Sequence, residues 1–555
     1  NFHALDGDVL PTKLGYQLGA GMAAKVRQRD NPEHSTGVIL WASDAVRDEG
    51  VMVSFILSLM GITPEWNARG IVQKMKLAED SAQAARYNVI VTTSGLFRDL
   101  YPNLMQWIDT GGRLALTASA QTIMREYPEL TEALNQALAP LGASAKRGEE
   151  PLAKNGVAMH WVQRSQGLMA QGLPAAEAGK QAAWRIFGDA PGNYGAGVNI
   201  LTERSGAWND RSELGRAYLQ RMGHAYAADA MGEPAHSIFT TALGGIATTY
   251  HGRASNLYGL MDNNDAFDYL GGLSLATETV TGHRPEARIL NHADPERPTD
   301  EPLETALLME LRSRYLNPAW IKPLMNHGYA GARTMGQEFM ENLWGWQVTR
   351  PDLIKDWAWN EVKRVYVDDG LNLGLDRFLD QGHNAQVKAH MLGLMLVAAQ
   401  KGFWHADEAT VKQLGHELTQ LVSKNGLPGS GHTAPSNPMW KWLAEHLNEA
   451  DKQALQQTLA KARGDEQASR PQAEPQTAIQ PQAKESTTKT QVKNQVKAQP
   501  FSTVQAPADK PTPAPKPERR VYELTVKAVK DNLFWLLALL PIFIAGLWFG
   551  TRRPL

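Results

Sequence analysis

GVILWASDAVRDEGVMVSFILSLMG, residues 37–61, is the stretch whose reading decides the class of fold. GVIL is a short apolar run, WASDAVRDEG is a polar loop, and VMVSFILSLMG returns to apolar residues at helical spacing. Residues 88–93, NVIVTT, repeat the opening: a β-branched run followed by the loop SGLFRDLYPN. RLALT, 113–117, reads as a third strand. Strands alternating with helices predict an α/β fold with a Rossmann-like parallel sheet. Ligands of such sheets sit beyond the carboxyl ends of the strands. WASDAVRDEG and SGLFRDLYPN are therefore the loops in which a site is expected.

Further along, the pattern turns helical. TALLMELRSRYLNP, EFMENLWGW, AQVKAHMLGLMLVAAQKGFW and ATVKQLGHELTQLV carry apolar residues three to four apart. Their Met and Trp stripes read as core. The expected organisation is an α/β region over 1–150, a cleft region with a glycine-rich loop and an acidic stretch over 151–300, and an α-helical region over 301–464. A disordered linker at 465–520 and a membrane anchor with a short tail at 521–555 follow.

The linker is expected because DEQASRPQAEPQ to PTPAPKPERR holds Pro, Gln, Ala and Lys with few large apolar residues. LFWLLALLPIFIAGLWFG, 533–550, has no charged residue. Its length nearly crosses a hydrocarbon core of about 30 Å, with Trp535 and Trp548 near its ends. Lys516, Arg519, Arg520, Lys527 and Lys530 precede it and only Arg552 and Arg553 follow, which by charge alone favours a cytoplasmic globular part. Large domains cross membranes largely regardless of such charges, and a long proline-rich tether suits an envelope space. The expectation is an inner-membrane, single-pass anchor with a periplasmic globular part, the cytoplasmic orientation being the alternative. The chain has 555 residues and opens on Asn1 inside sequence that reads as ordered, so it is expected to be a piece of a longer protein.

A net charge of −2 gives no reason to expect nucleic acid as a partner. The absence of cysteine excludes disulfides, thiolate metal sites and a cysteine nucleophile. No H-E-x-x-H and no G-x-S-x-G is present. RIFGDAPGNYGAG, 185–197, is glycine-rich, but no Lys-Ser or Lys-Thr follows, and Gly188, Gly192, Gly195 and Gly197 lack dinucleotide-binding spacing. It reads as a loop whose glycines permit tight turns. MDNNDAFDYLGGL, 261–273, is the densest acidic stretch, with Asp262, Asp265 and Asp268. By itself it reads as a solvated turn before a helix.

Taken together, several stretches resemble the C-terminal half of the large, porphyrin-binding subunit shared by cobaltochelatase of the CobN type and magnesium chelatase. They are NFHALDGDVLPT, VILWASDAVRDEGVMVSFILSLMGITPEW, SGLFRDLYPNLMQWID, RIFGDAPGNYGAG, SGAWNDRSELGRAYLQRMGHAYA, LNPAWIKPLMNHGYAGA and KGFWHADE, in that order over about 1–424. The resemblance implies a tetrapyrrole substrate (hydrogenobyrinate-type, protoporphyrin or haem) and a divalent Co, Mg or Fe ion. It also implies ATP hydrolysis only on separate AAA+ partner subunits, and the other half of the cavity upstream. It implies that Asp262 and Asp265 act in proton and metal transfer. Tyr194, Gly195, Gly197, His251 and Tyr258 would hold the ring, with His251 also a metal ligand. Tyr258 and Leu270 stand where the cobalt branch tends to have histidine, and Asn264 replaces a family aspartate. With the membrane anchor, these departures point to a divergent branch found with haem uptake, in which the chemistry runs backwards and iron leaves haem. A non-catalytic tetrapyrrole carrier or sensor is the reading from another class.

Overall fold

The computed structural model describes residues 7–78, 84–142 and 146–469. Its centre is β1 (Ser35–Leu40), every residue of which is buried. β4 (Asn88–Thr93) is equally buried and pairs with β1 in parallel, Val38 opposite Val91. β5 (Ile186–Gly188) adds in parallel beyond β4. On the other side of β1 lie β8 (Ile246–Arg253) and then β9 (Glu286–Asn291), both parallel to it. Antiparallel strands close the edges: β6 (His224–Ala227) and β7 (Ala230–Pro234) at one, β10 (Thr299–Pro302) at the other. The order is β10-β9-β8-β1-β4-β5-β6-β7. Strands from 1–150 and from 151–300 thus enter one sheet. Near-continuous apolar strands are what a parallel sheet covered on both faces requires.

Two local readings differ from the sequence expectation. RLALT is not a strand; it ends the helix Pro102–Thr117. Proline at the first helical position starts this helix, and Leu104, Met105, Ile108, Ala115 and Leu116 form its buried stripe. Arg113 bonds Asp109 one turn back at 2.8 Å, both fully buried, a contact that a strand would not make. The apolar spacing within five residues was too short to separate the two periods. Conversely, β2 (Ile62–Trp66) and β3 (Val72–Leu77) form an unexpected antiparallel hairpin, turned by Asn67, whose Oδ1 accepts from the amides of Arg69 and Ile71.

The helical region from Leu303 onward packs as read. Trp344, Trp346 and Trp359 are fully buried and each indole N–H is satisfied, at Thr202 O, Leu260 O and Gln347 Oε1. The last helix, Glu449–Ser469, runs past the expected boundary at 464. The linker beyond it and the span at 533–550 lie outside the described residues. Among the described residues no helix is long and apolar enough to cross a membrane.

Candidate functional site

The chain winds the sheet in two halves that start back to back. From β1 it proceeds through β4 to β5; it then returns so that β8 lies against the free side of β1 and β9 beyond it. The loops after β1 and β8 therefore leave in opposite directions, and the crevice between them is where such sheets bind ligands. A cavity of about 490 Å³ occupies this place, within the range of about 300–1,000 Å³ usual for small-molecule sites.

The loop after β1 supplies Trp41, Asp44 and Arg47, and the loop after β4 supplies Ser94 and Leu96. β8 and its loop supply His251, Arg253 and Tyr258. Of the residues expected from sequence, Tyr194, Gly195, His251, Tyr258 and Asp265 line the cavity; Asp262 and Gly197 do not.

His251 is buried, its ring edge-on to Trp41 at 4.2 Å between centroids. Burial, with His292 and Arg253 nearby, lowers its pKa to about 3, so the imidazole is neutral. Its Nδ1 has no hydrogen-bond partner; nor have Trp41 Nε1 and Asn263 Oδ1, which also belong to the cavity wall. Tyr258 and Tyr194 are exposed there. Arg47 stacks over the ring of Tyr258 at 5.5 Å, and Tyr194 donates to Asp99 Oδ2 at 2.6 Å.

Two carboxyls face this space without an ion-pair partner. Asp265, open to solvent, forms no side-chain hydrogen bond, and partial desolvation raises its pKa. Asp44, in the first turn of the helix Ala42–Arg47, is the group that reading the sequence for acidic clusters missed. Burial first, then the charge of Asp48, pushes it up to about 7 against the opposing pull of His292 and Arg47. Behind it, Asp48 Oδ2 lies 2.9 Å from His292 Nε2, and His292 Nδ1 donates to Leu290 O at 2.9 Å. Burial disfavours protonation of His292, but Asp48 overrides it and the pKa is raised. The signal for Asp44 was positional: it sits in the first loop expected to carry ligands.

Asp262 has a different employment. Arg314 grips it with two bonds of 2.8 Å, Tyr315 donates to it at 2.7 Å, and the amide of Gly259 donates as well. Burial works against ionisation, but these partners keep its pKa below the usual carboxylate value. It fastens the Gly259 turn, which Glu310, Asn342 and Trp346 also hold through Leu260 and Met261. Asp262, Asp265 and His251 therefore form no preassembled metal-ligand set. Among the described residues no group of three or more His, Asp or Glu is arranged to hold a metal ion.

The glycine-rich loop does cradle an anion, and the anion is the chain's own. Asp268 is fully buried, and its carboxylate accepts from the amides of Ala196 (2.8 Å), Val198 (2.7 Å) and Asn199 (3.0 Å). Gly195 (φ 88°) and Gly197 (φ 87°) adopt the left-handed conformation that turns those amides inward. Arg221 donates to the carbonyls of Gly195 and Tyr194, both at 2.9 Å, and the buried Arg98 holds Asp189 Oδ1 at 2.7 Å. Gly197 thus shapes the loop without lining the cavity; an added Cβ would press on Arg221.

The mostly parallel sheet, wound in two halves, is an α/β fold whose polar, aromatic-walled crevice lies at the switch point. Residues 1–411 match the CobN/Magnesium Chelatase family, and the chain belongs to that family. It is 30% identical over 428 residues to the aerobic cobaltochelatase subunit CobN of Pseudomonas aeruginosa, covering 76% of this chain and 31% of that one. It is 27% identical over 427 residues to a magnesium-chelatase subunit of Rhodobacter capsulatus, covering 76% of this chain and 32% of that one. The catalytic subunit of cobaltochelatase from Mycobacterium tuberculosis shares the fold, with a TM-score of 0.61 at 23% identity over 83% of this chain and 32% of that one. The chain spans about a third of the length of these relatives.

Proposed function

We propose that this chain forms the tetrapyrrole-facing crevice of a chelatase large subunit and exchanges a divalent metal ion for two pyrrole protons. The observation that supports this most is the meeting, in one cavity, of two carboxyls that form no ion-pair contact, Asp44 and Asp265, and a neutral buried histidine, His251. Insertion of a divalent ion releases two N–H protons, and removal consumes two. A carboxyl poised near neutral pH both accepts and returns a proton efficiently, and carboxylate oxygens suit a hard cation in transit. Asp44 is the proton acceptor in this reading, with the Asp48–His292 pair behind it; Asp265 receives the metal. Trp41, Tyr194 and Tyr258 offer ring faces to a flat macrocycle. The lack of a phosphate-binding P-loop agrees with nucleotide hydrolysis on separate AAA+ subunits. Cobalt and a hydrogenobyrinate-type ring are the first choice of substrates, magnesium with protoporphyrin the second.

The test is the Soret band of the chain with free-base ring, metal ion and partner subunits. Metal-dependent conversion is expected; ring binding without conversion in this arm and the haem arm below would make the protein a carrier.

His251 favours a second reading, removal of iron from haem. A neutral imidazole with unoccupied nitrogen is available as an axial ligand to haem iron across physiological pH, and Tyr258 lines the same cavity. With an added one-electron reductant, ferrous haem plus two protons would yield free-base ring and ferrous ion, and the Soret band would shift accordingly. Anchoring by residues 533–550 with the globular part in the periplasm completes this second reading. Protease added to intact spheroplasts is then expected to cut within 465–520. Resistance until the inner membrane is lysed would place the domain in the cytoplasm and favour insertion.

A further inference from the structure

The opposite end of the sheet holds a second pocket, of about 240 Å³. Ser35, at the start of β1, Asn88, at the start of β4, and Gly245, just before β8, line it. The helix Gly156–Ala170 adds Arg164 and Gly167. No Asp or Glu lines it.

Arg164 is only 7% exposed. Its Nε donates to His160 O at 3.3 Å and Nη1 to Trp184 O at 3.2 Å, while Nη2 is buried with no partner. The charge that acts on it is a second buried guanidinium, Arg185; Asp109 acts on Arg185, but no carboxylate is paired with Arg164. Burial and then Arg185 lower the Arg164 pKa to about 9, which leaves it a cation at neutral pH. Asn88 donates to Ser35 Oγ at 2.7 Å, and its own Oδ1 is buried without a partner. Buried charges in proteins are as a rule paired, because an unpaired one forfeits its hydration.

We infer that the pocket at the amino ends of β1, β4 and β8 binds a small oxyanion, with the Arg164 guanidinium as its counter-charge. A guanidinium presents a planar fork of donors that matches phosphate or carboxylate oxygens. Gln163 and Gln171, which also line the pocket, supply neutral donors. The volume lies below the range of about 300–1,000 Å³ typical of larger ligands and suits an ion of phosphate size. The inference does not rest on the chelatase reading, since none of these residues lines the crevice.

The experiment is calorimetric titration of the full chain with inorganic phosphate against chloride at equal ionic strength. Saturable one-to-one binding is expected, weakened at least tenfold in R164Q. Because R164Q alters a buried position and risks the fold, G167D provides the second arm. Gly167 is exposed on its helix, and an added Cβ meets nothing within 4 Å. Its carboxylate is expected to take the anion's place, abolishing phosphate binding and raising the thermal midpoint above that of G167N in phosphate-free buffer. No saturable binding to the unaltered chain, undiminished binding to G167D, or a midpoint for G167D at or below that of G167N would each overturn the proposal.

Discussion

The loop after β1 and the acidic segment Met261–Gly271 both carry aspartates, and these fall into two opposite states: the β1 loop offers a free one, whereas the segment engages two of its three. Asp44 and Asp265 face the crevice without an ion-pair partner, and desolvation raises both. Asp262 and Asp268 are fully engaged, the first by Arg314 and Tyr315, the second by three backbone amides. Desolvation still lifts Asp268 to about 6, so hydrogen bonding alone does not decide a carboxylate's pKa. What separates the pairs is availability: a carboxylate already holding its neighbours must break those bonds before it can take a proton or a metal ion.

The sharpest way to break this comparison is Asp44→Asn. Turnover in either direction of metal exchange is expected to fall by about 10²–10⁴, the usual size of general acid–base effects, with ring affinity little changed. An unaltered rate in the double variant D44N/D265N would remove both residues from the chemistry.

Asp268→Ala tests the opposite side. Leaving three amides, two of them buried, without acceptors is expected to cost about 3–5 kcal/mol of stability, read as a lowered denaturation midpoint. Retained stability would show that the loop does not depend on its carboxylate.

Asp262→Asn is expected to cost about 1–3 kcal/mol, because the partly buried Arg314 loses one of its two charged partners and keeps only Glu310. Turnover per folded molecule should change less than in D44N. A loss equal to that of D44N would return Asp262 to the chemistry.

Asp44 also predicts a pH dependence. Its folded pKa, about 7, lies above the ordinary 3.8, so between these values the folded state binds more protons than the unfolded one. Its contribution to stability therefore declines as pH rises from about 4 to 7. D44N should remove that slope and stabilise the protein at pH 8 by roughly 1–3 kcal/mol; equal stability profiles would contradict the raised pKa.

The smallest effect expected is that of Tyr194→Phe. The exposed hydroxyl bond to Asp99 contributes about 0.5–1.5 kcal/mol at most, so ring affinity should move less than about tenfold. A larger drop would give Tyr194 a direct hold on the substrate.

Much of the sheet was readable beforehand because its strands are buried on both faces and so carry unbroken apolar runs, as GVIL and NVIVTT do. RLALT misled because Leu114 and Leu116 alternate within a window shorter than two helical turns; only the full stripe from Leu104, with the Asp109–Arg113 pair, reveals the helix. The site divided in the same way. His251, Tyr258 and Tyr194, named through the family resemblance, line the cavity, and the loop holding Asp44 was marked by its place after β1.

What sequence alone determined was thus local or periodic: a parallel sheet, the loops at its carboxyl ends, a helical second half and a glycine-rich turn with no P-loop chemistry. Tertiary structure decided which aspartates are free. Asp262 and its captor Arg314 are 52 residues apart, and Asp268 reaches the amide of Ala196 across 72 residues. The short spacing within MDNNDAF cannot report such partners, because a carboxylate's pKa and reach are set by whatever the fold brings within a few ångströms, and that depends on the whole chain.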